Sequence, residues 1–260
     1  MKALILAAGF GSRLMPLTAE IPKTMVEYKG KKIIEYELEA LQNAGVKADE
    51  IAVVGGYKFE IFREFLSKNY RLKCFFENKN YAATNMLHSL FCARKFMLEC
   101  VAQKQDLIIS YADIVYFAPC VERLKKAKGE LLICVDLRWQ ELWQRRFSDI
   151  LSDAETLKMQ EIEDEFFITE LGKKPRNLSE IQAQYMGLFK ISHTFLPKVI
   201  EFYDTLDKGA KFDEQPYSNI YMTSFLQGLI DKFHNAKAVK ISGGWCEIDF
   251  KRDLKVEIVK

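Results

Sequence analysis

The residues best suited to chemistry lie in a short segment near the N-terminus, LAAGFGSRLMPLTAEIPKTMV (residues 6–26). Gly9 and Gly11 can take the positive φ of a tight turn, which lets backbone N–H groups approach phosphate oxygens. Arg13 and Lys23 place two cations beside that turn. This combination suits a triphosphate, because negative charge builds up on the pyrophosphate as it leaves. The segment therefore predicts a loop that binds a nucleoside triphosphate.

Two well-known phosphate-binding motifs do not fit this segment. A Rossmann fingerprint needs a third glycine where this sequence has Leu14, and a Walker loop needs Gly-Lys-Ser or Gly-Lys-Thr after its glycines. The remaining alternative is a solvated turn with incidental charges. That alternative requires the glycines, both cations and Pro22 to occur together by chance, so we favour the nucleotide loop.

Asp113 is the first candidate for a metal ligand. It follows an apolar run predicted as a strand at 106–110, and an open α/β sheet binds its ligands outside the carboxyl ends of its strands. Asp113 should therefore enter the same crevice as the glycine loop, where a carboxylate can hold Mg²⁺ against phosphate oxygens. An alternative role for Asp113, capping a turn or a helix, stays open at this point.

The elements that must position these residues alternate between short β-type runs and longer helical patterns. This alternation predicts an α/β fold with a mostly parallel central sheet flanked by helices. The predicted strands cover residues 2–7, 51–57, 71–76, 106–110 and 130–136, and the predicted helices cover 33–44, 59–69 and 85–98. Residues 138–165 mix tryptophan, arginine and acidic residues without a clean period, so we expect an insertion or lid there.

Regular patterns resume in the last third of the chain. Strands are predicted at 166–171, at 184–191 and within 236–249, and helices at 192–206 and 218–233. We therefore expect a single domain over residues 1–260. Residues 1–136 would form its nucleotide-binding half, 137–235 a small inserted acceptor-binding lobe or lid, and 236–260 the return to the core.

The composition argues against several classes of protein. Of 260 residues, 49% are hydrophobic, and 38 basic against 36 acidic side chains leave a net charge of +2, so a large nucleic-acid interface is not expected. No apolar run reaches the ~20 residues of a membrane span, and the N-terminal stretch is too short for a secretion signal. We expect a cytoplasmic protein without a membrane partner. Six scattered cysteines and three histidines lack metal-ligand spacing, which indicates reduced thiols and no zinc.

The segment LAAGFGSRLMPLT, followed by PKTMV, resembles the signature of the nucleotidyltransferases that make nucleoside-diphosphate sugars and of their cytidylyltransferase relatives. The resemblance implies a Rossmann-like fold and a Mg²⁺-dependent enzyme. Such an enzyme joins a nucleoside triphosphate to a small phosphorylated metabolite and releases pyrophosphate. The predicted nucleotide-binding residues are Leu6, Ala7, Ala8, Gly9, Gly11, Ser12, Arg13, Lys23, Glu77, Thr84, Asn85 and Ala112.

The same resemblance implies a pair of metal ligands. It places Asp113 at the position of one metal-binding aspartate and Asp249, in GWCEID, at the position of the second. Glu247 and Asp253 are close competitors of Asp249. One or two protein carboxylates are enough for Mg²⁺, which keeps water and phosphate as its other ligands.

The predicted chemistry needs no general base. An acceptor phosphate is already ionised at neutral pH and can attack the α-phosphorus directly, so the protein aligns the reactants and neutralises charge. The segment ELGKKPRN resembles the family's Glu-Lys-Pro segment and offers Lys173, with Lys174 close behind, for the acceptor phosphate. The predicted catalytic residues are Arg13, Lys23, Lys173 and Lys174.

The nucleobase is expected near Thr84 and Asn85, where an amide side chain and the exposed N–H groups of a helix start could read a base edge. Thr84 could equally be the N-cap of that helix. TNMLHSL and GWCEIDFKRDL resemble cytidylyltransferases that act on phosphocholine, on phosphonates and, in bacterial capsule phosphoramidate synthesis, on phosphoglutamine. The resemblance therefore favours CTP as the nucleotide.

The acceptor site is inferred from the irregular middle of the chain. Residues 136–150 gather two tryptophans, Trp139 and Trp143, and three arginines, Arg138, Arg145 and Arg146. An aromatic box with a carboxylate would suit choline, whereas arginines would suit an anionic or zwitterionic acceptor. The arginines favour an anionic or zwitterionic acceptor, and the resemblance to the cytidylyltransferases implies phosphoglutamine, with phosphocholine or a phosphonate next. The predicted acceptor-binding residues are Tyr111, Arg138, Trp139, Tyr185, Trp245 and Glu247.

Two alternatives of other kinds remain. A sugar-1-phosphate nucleotidyltransferase that uses UTP, GTP or dTTP would have the same loop and metal site. A catalytically silent nucleotide-binding regulator would keep the glycines but lack the metal pair, and the presence of Asp113 and Asp249 counts against it. The sequence does not determine the oligomeric state, and a homo-oligomer is one of the possible states.

Overall fold

The computed structural model describes residues 1–259. The strands are β1 (Lys2–Ala7), β2 (Glu27–Tyr28), β3 (Lys31–Lys32), β4 (Ile51–Gly55), β5 (Cys74–Glu77), β6 (Leu107–Tyr111), β7 (Ile114–Tyr116), β8 (Leu131–Asp136), β9 (Leu157–Ile162), β10 (Glu165–Leu171), β11 (Gln184–Ile191), β12 (Lys211–Phe212), β13 (Gln215–Pro216), β14 (Ala236–Ile241) and β15 (Trp245–Glu247). The helices are α1 (Ile33–Asn43), α2 (Phe59–Tyr70), α3 (Met86–Cys92), α4 (Arg94–Ala102), α5 (Ala118–Lys126), α6 (Trp139–Arg146), α7 (Leu196–Asp204) and α8 (Met222–Phe233).

Nine strands form the central sheet, in the order β5-β4-β1-β6-β11-β8-β14-β10-β9. The strands from β5 to β6 run parallel, as do β8 and β14. β11 is antiparallel to both of its neighbours, and β10 is antiparallel to β14 and β9. The sheet is therefore mixed, with its parallel half in the N-terminal part of the chain. The predicted α/β fold with a helix-flanked central sheet is confirmed.

The core lies on both faces of this sheet because its inner strands are mainly apolar and are buried at nearly every position. In β1, all six residues are buried: Ala3, Ile5 and Ala7 pack on one face, whereas Leu4 and Leu6 pack on the other. Helices α1, α2, α5 and α6 cover the first face, and α3, α4, α7 and α8 cover the second. Burial on two faces explains why β1 shows no alternation of apolar and polar residues. Within residues 1–259, no helix is both long and apolar enough to cross a bilayer.

The region predicted to be irregular, 138–165, is more regular than its sequence indicates. It contains α6 and β9, and β9 pairs with β10 at the edge of the central sheet. The inner face of α6 consists of Trp139, Leu142, Trp143 and Arg146. Arg146 is buried on this face together with the three apolar residues. Because an arginine is not expected at a buried position, the helical spacing of apolar residues was not recognised in the sequence.

The helix predicted at 85–98 is two helices. α3 ends at Cys92 and α4 begins at Arg94, with a bend at Ala93, whose φ is −93° and ψ is 21°. A short antiparallel pair, β7 with β15, was not predicted as such, and it lies beside the loop that follows β1.

Candidate active site

The glycine loop follows β1, and a buried side chain and a hydrogen bond fix its conformation. Leu14, in a 3₁₀ turn over Ser12–Leu14, is fully buried, and the Thr18 hydroxyl donates to the Gly11 carbonyl at 3.0 Å. Gly11 has a φ of 68°, and a Cβ placed there would lie 2.7 Å from Cβ of Lys23. Glycine is therefore required at position 11 both by backbone conformation and by space.

Gly9 differs from its prediction. Its φ is not positive, so the expected need for a left-handed backbone is wrong at this position. No atom lies within 4 Å of a Cβ placed there, and Gly9 lines a cavity instead. The absence of a side chain keeps that space open to a ligand.

The pairing of β7 with β15 brings the two predicted metal ligands together. Asp113 precedes β7 and Asp249 follows β15, and the N–H of Ile248 donates to the carbonyl of Asp113 at 2.8 Å. Nζ of Lys23 lies 3.1 Å from Oδ2 of Asp113 and 2.6 Å from Oδ1 of Asp249. Nη2 of Arg13 lies 3.1 Å from the same Asp249 oxygen. The loop cations and the carboxylates thus form one cluster.

Three carboxylates in this cluster could hold a divalent cation. One oxygen from each of Asp113, Glu247 and Asp249 lies within 4.8 Å of the others. Oδ1 of Asp113 is buried and has no hydrogen-bond partner among residues 1–259. Oxygen donors of this kind fit Mg²⁺. Glu247, which the sequence offered as an acceptor-binding residue and a competitor of Asp249, lies in the same group.

Asp253, the other competitor, has a structural role. Oδ2 of Asp253 accepts hydrogen bonds from the N–H groups of Asp249 and Phe250 at 2.9 and 2.8 Å. The buried guanidinium of Arg146 lies 3.4 Å from Asp253 and 2.5 Å from Oε2 of Glu247. Arg146 and Asp253 therefore fix the backbone and the carboxylates behind the cluster.

The charges in the cluster shift one another's protonation. Burial raises the pKa of Glu247 to about 8, against the attraction of Arg146 and with added repulsion from Asp249 and Asp113. Burial also opposes ionisation of Asp249, but the charge and hydrogen bond of Lys23 bring the pKa of Asp249 below its ordinary value. Burial disfavours a charged Lys23, yet Asp113 and Asp249 together raise the pKa of that lysine. Lys23 and Asp249 therefore stay ionised at neutral pH.

A small cavity of about 100 Å³ lies between β1 and α3. It is lined by Leu6, Ala8, Gly9, Tyr81, Thr84, Asn85, Met86 and Ser89. Five of these were predicted to bind the nucleotide, and the structure brings them together around this cavity. Of the other predicted residues, Ala7 is buried at the end of β1, and the Ala112 N–H donates to the Leu6 carbonyl. Glu77 is exposed at the end of β5 and does not line this cavity.

Asn85, and not Thr84, is the N-cap of α3. Oδ1 of Asn85 accepts from the N–H of Met86 at 2.8 Å, whereas the Thr84 hydroxyl donates to the carbonyl of Asn80. Asn78 was missed by the sequence reasoning. It is 1% exposed, and Nδ2 of Asn78 donates to the hydroxyls of Thr84 and Ser89 at 3.0 and 2.9 Å. A polar residue directly after a strand end was the available signal.

A large cavity of about 530 Å³ adjoins the carboxylate cluster. Its lining includes the predicted residues Arg13, Asn85, Tyr111, Tyr185, Trp245, Glu247 and Asp249, together with Trp143, Asp153, Glu155 and Gln184. The cavity shares Asn85 and Met86 with the small cavity, so one ligand can extend through both.

Two predicted acceptor residues do not reach the large cavity. Trp139 is 2% exposed and packs edge-on against Trp143 in the core. Arg138 is at the surface, where Nε and Nη2 donate to the Glu141 carboxylate at 2.7 Å. The structure corrects both assignments, because α6 turns only its Trp143 edge towards the cavity.

Neither of the predicted acceptor lysines lines the large cavity. Nζ of Lys174 donates to the carbonyls of Leu151 and Ser152, at 2.6 and 3.0 Å. Lys173 is 57% exposed, and its Nζ lies 3.7 Å from Glu170. Both lysines therefore make their contacts at the protein surface, near β9 and β10.

Comparison with known proteins agrees with this geometry. The model of the nucleotidyl transferase family matches residues 2–248. The chain belongs to that family. This nucleotidyl transferase is similar to the CTP:phosphoglutamine cytidylyltransferase of Campylobacter jejuni, with 58% identity over 260 residues. The alignment covers 100% of both chains. The chain is 39% identical to the choline-phosphate cytidylyltransferase of Streptococcus pneumoniae over 95 residues, 36% of this chain and 40% of that one.

Solved structures show the same fold for this nucleotidyl transferase. The inositol-1-phosphate CTP transferase from T. maritima aligns with a TM-score of 0.74 over 97% of this chain and 90% of that one, at 18% identity. The CTP:phosphocholine cytidylyltransferase from Streptococcus pneumoniae aligns with a TM-score of 0.69 over 97% of this chain and 95% of that one, at 22% identity.

Proposed function

We propose that the protein is a CTP-dependent cytidylyltransferase that transfers CMP to a small phosphorylated acceptor, phosphoglutamine before phosphocholine or a phosphonate, and releases pyrophosphate. The observation that carries this proposal is the full-length identity of 58% to a CTP:phosphoglutamine cytidylyltransferase. The alternative, a sugar-1-phosphate nucleotidyltransferase, has weaker support. Mannose-1-phosphate guanyltransferases match only about a quarter of the chain, for example 46% identity over 68 residues in Neurospora crassa.

The loop is the proposed site of the triphosphate. Backbone N–H groups around Gly11 and the cations of Arg13 and Lys23 would bind the phosphate oxygens and stabilise the charge that develops on pyrophosphate. The small cavity, with Thr84 and Asn85 on its wall, would hold the base. Arg13 belongs both to the loop and to the wall of the large cavity, so it would connect the nucleotide with the acceptor.

The proposed reaction is a direct displacement at the α-phosphorus. A phosphate oxygen of the acceptor forms the new bond to phosphorus, while the bond between the α-phosphorus and the bridging oxygen breaks and its electron pair leaves with pyrophosphate. No proton transfer is required, because the attacking oxygen is already ionised. Asp113 and Asp249, with Glu247 beside them, are the residues that would hold Mg²⁺. The bound ion would neutralise phosphate charge and align the two reactants.

The two halves of the chain would have different tasks. Residues 137–235 supply much of the wall of the large cavity, including Trp143, Asp153, Glu155, Gln184 and Tyr185. These residues support the assignment of acceptor binding to residues 137–235 and of nucleotide binding to 1–136. By resemblance alone, we also propose that the enzyme works in the cytoplasm in the modification of capsule polysaccharide.

A pyrophosphate-release screen tests the proposal. CTP, UTP, GTP, ATP and dTTP would each be offered with phosphoglutamine, phosphocholine, aminoethylphosphonate and sugar 1-phosphates, in the presence of Mg²⁺. We expect pyrophosphate release with CTP and phosphoglutamine. The D113N variant serves as the inactive control. Release with a sugar 1-phosphate and UTP, GTP or dTTP, and none with CTP, would establish the alternative instead.

A further inference from the structure

The wall of the large cavity carries far more negative than positive charge. Arg13 is the one cation among its lining residues within the described chain. Four carboxylates line it: Asp153, Glu155, Glu247 and Asp249. Asp249 is neutralised by Lys23 and Arg13, and Glu247 by Arg146. The carboxylates that are left are those of Asp153 and Glu155.

Glu155 is the carboxylate in this wall that has no partner. Its carboxylate makes no ion pair and no hydrogen bond with residues 1–259, whereas Asp153 lies 4.0 Å from Arg146. Gln184 holds the backbone of Glu155, since Oε1 of Gln184 accepts from its N–H and Nε2 donates to its carbonyl. Burial raises the pKa of Glu155 to about 7, with added repulsion from Asp153 and Asp213. A carboxylate fixed in this way is costly unless a cation joins it.

A second polar group in the same cavity also lacks a partner. Trp143 is 3% exposed and lines the cavity, and its buried indole N–H has no acceptor within residues 1–259. An unpaired buried donor costs about 1–3 kcal/mol. The indole N–H is enclosed by protein, so the fold bears this cost, and the carboxylate of Glu155 is the group that a ligand in the cavity could pair.

The arginines of α6, which the sequence suggested for an anionic acceptor, are engaged elsewhere. Arg138 pairs with Glu141, Arg145 donates to the carbonyl of Glu257 at 2.8 Å, and Arg146 is buried against Glu247. None of the three lines the large cavity. Besides Arg13, the cavity therefore offers the carboxylate of Glu155 and several aromatic side chains, and such groups attract an ammonium group.

We propose that Glu155 binds a positively charged nitrogen of the acceptor and that this contact selects ammonium-bearing acceptors over sugar phosphates. The proposal rests on the proposed function, because it assigns the large cavity to the acceptor. The phosphate of the acceptor lies at the Arg13 end, and its ammonium lies at the Glu155 end. A sugar phosphate leaves Glu155 without a counter-charge, whereas an amino-acid acceptor supplies an ammonium for Glu155.

The test compares acceptors and variants in a matched set. CTP turnover would be measured with phosphoglutamine and with its analogue that lacks the α-amine, for the wild type, E155Q and the control E161Q. Glu161 is exposed on β9, outside the cavity. We expect wild type and E161Q to prefer the amine-bearing acceptor by roughly 10- to 100-fold in kcat/KM, and E155Q to lose that preference through a higher KM. The KM for CTP should not change.

A binding measurement separates this proposal from the proposed function. Trp143 and Trp245 line the cavity, so their fluorescence should report phosphocholine binding without turnover. We expect E155Q to weaken this binding roughly 10-fold or more, with E161Q unchanged. If no acceptor yields pyrophosphate with CTP, the proposed function fails. The measurement of phosphocholine binding still decides the role of Glu155 in that case. Undiminished amine preference or phosphocholine binding in a folded E155Q would overturn the role of Glu155.

Discussion

Nζ of Lys23 lies 2.6 Å from Oδ1 of Asp249, so the nucleotide loop is bonded directly to the carboxylate cluster. The same lysine lies 3.1 Å from Asp113. Burial disfavours a charge on Lys23, but the two aspartates raise its pKa, and the ion pairs stay formed at neutral pH. The loop cation therefore balances the charge of the acids that would hold Mg²⁺, and each group depends on the other for its position.

Replacing Lys23 with Met should reduce kcat/KM for CTP by on the order of 100-fold or more, because the charge that develops on pyrophosphate loses a fixed cation. Steady-state kinetics at saturating acceptor measure this loss. Lys31→Met is the matched control, since Lys31 is exposed and forms its ion pair with Glu39, on the surface. Equal losses in both variants would contradict the role given to Lys23.

Replacing Asp113 with Asn keeps the shape of the side chain and removes its charge. We expect turnover to fall by on the order of 100-fold and the Mg²⁺ concentration for half-maximal activity to rise, because one of three grouped carboxylates is lost. A Mg²⁺ titration of activity measures both effects. Asp49→Asn, in an exposed turn before β4, should behave as the wild type. Full activity of D113N would remove Asp113 from the metal site.

Replacing Glu37 with Gln should stabilise the fold at neutral and alkaline pH. Burial, with repulsion from Asp113, raises the pKa of Glu37 from 4.5 to about 8. The folded protein therefore keeps a proton that the unfolded chain releases, and wild-type stability falls as the pH rises from about 4.5 towards 8. Glutamine removes this penalty, which is on the order of 2–4 kcal/mol at pH 8 and small at pH 4.5.

Urea unfolding at pH 5 and pH 8 measures the effect of E37Q. The control is E39Q, an exposed position on the same helix α1. A gain for E37Q that is no greater at pH 8 than at pH 5 would show that Glu37 is not held in its protonated form.

Replacing Gly11 with Ala should destabilise the protein by about 1–3 kcal/mol, since the residue has a φ of 68° and its new Cβ would meet Lys23. Thermal unfolding measures the loss. Gly209→Ala is the control, because Gly209 has no positive φ and the nearest atom to its Cβ is 3.4 Å away. Gly9→Ala should leave stability unchanged and weaken CTP binding, because Gly9 lines the small cavity. A stable G11A with normal CTP binding would contradict this account of the loop.

Features that depend on neighbours in sequence were predictable. The apolar run of β1, the glycines and cations after it, and the carboxylate after β6 lie within short segments whose residue types state their role. The family and the helix-flanked sheet followed from these segments and are confirmed. The N-cap role of Asn85 and the single-residue break at Ala93 were not predictable, because Thr84 and Asn85 are both suitable caps and alanine is a residue that favours a continuous helix.

The sequence by itself determined the glycine loop, the strand that carries it and the cations beside it, since backbone conformation and charge within one turn decide these properties. Only the tertiary structure decided that Glu247 joins Asp113 and Asp249, that Trp143 and not Trp139 lines the large cavity, and that Glu155 is left without a partner. Those facts come from β7 pairing with β15 and from the face that α6 buries. Contacts between distant segments depend on how the whole core packs, which no local pattern records.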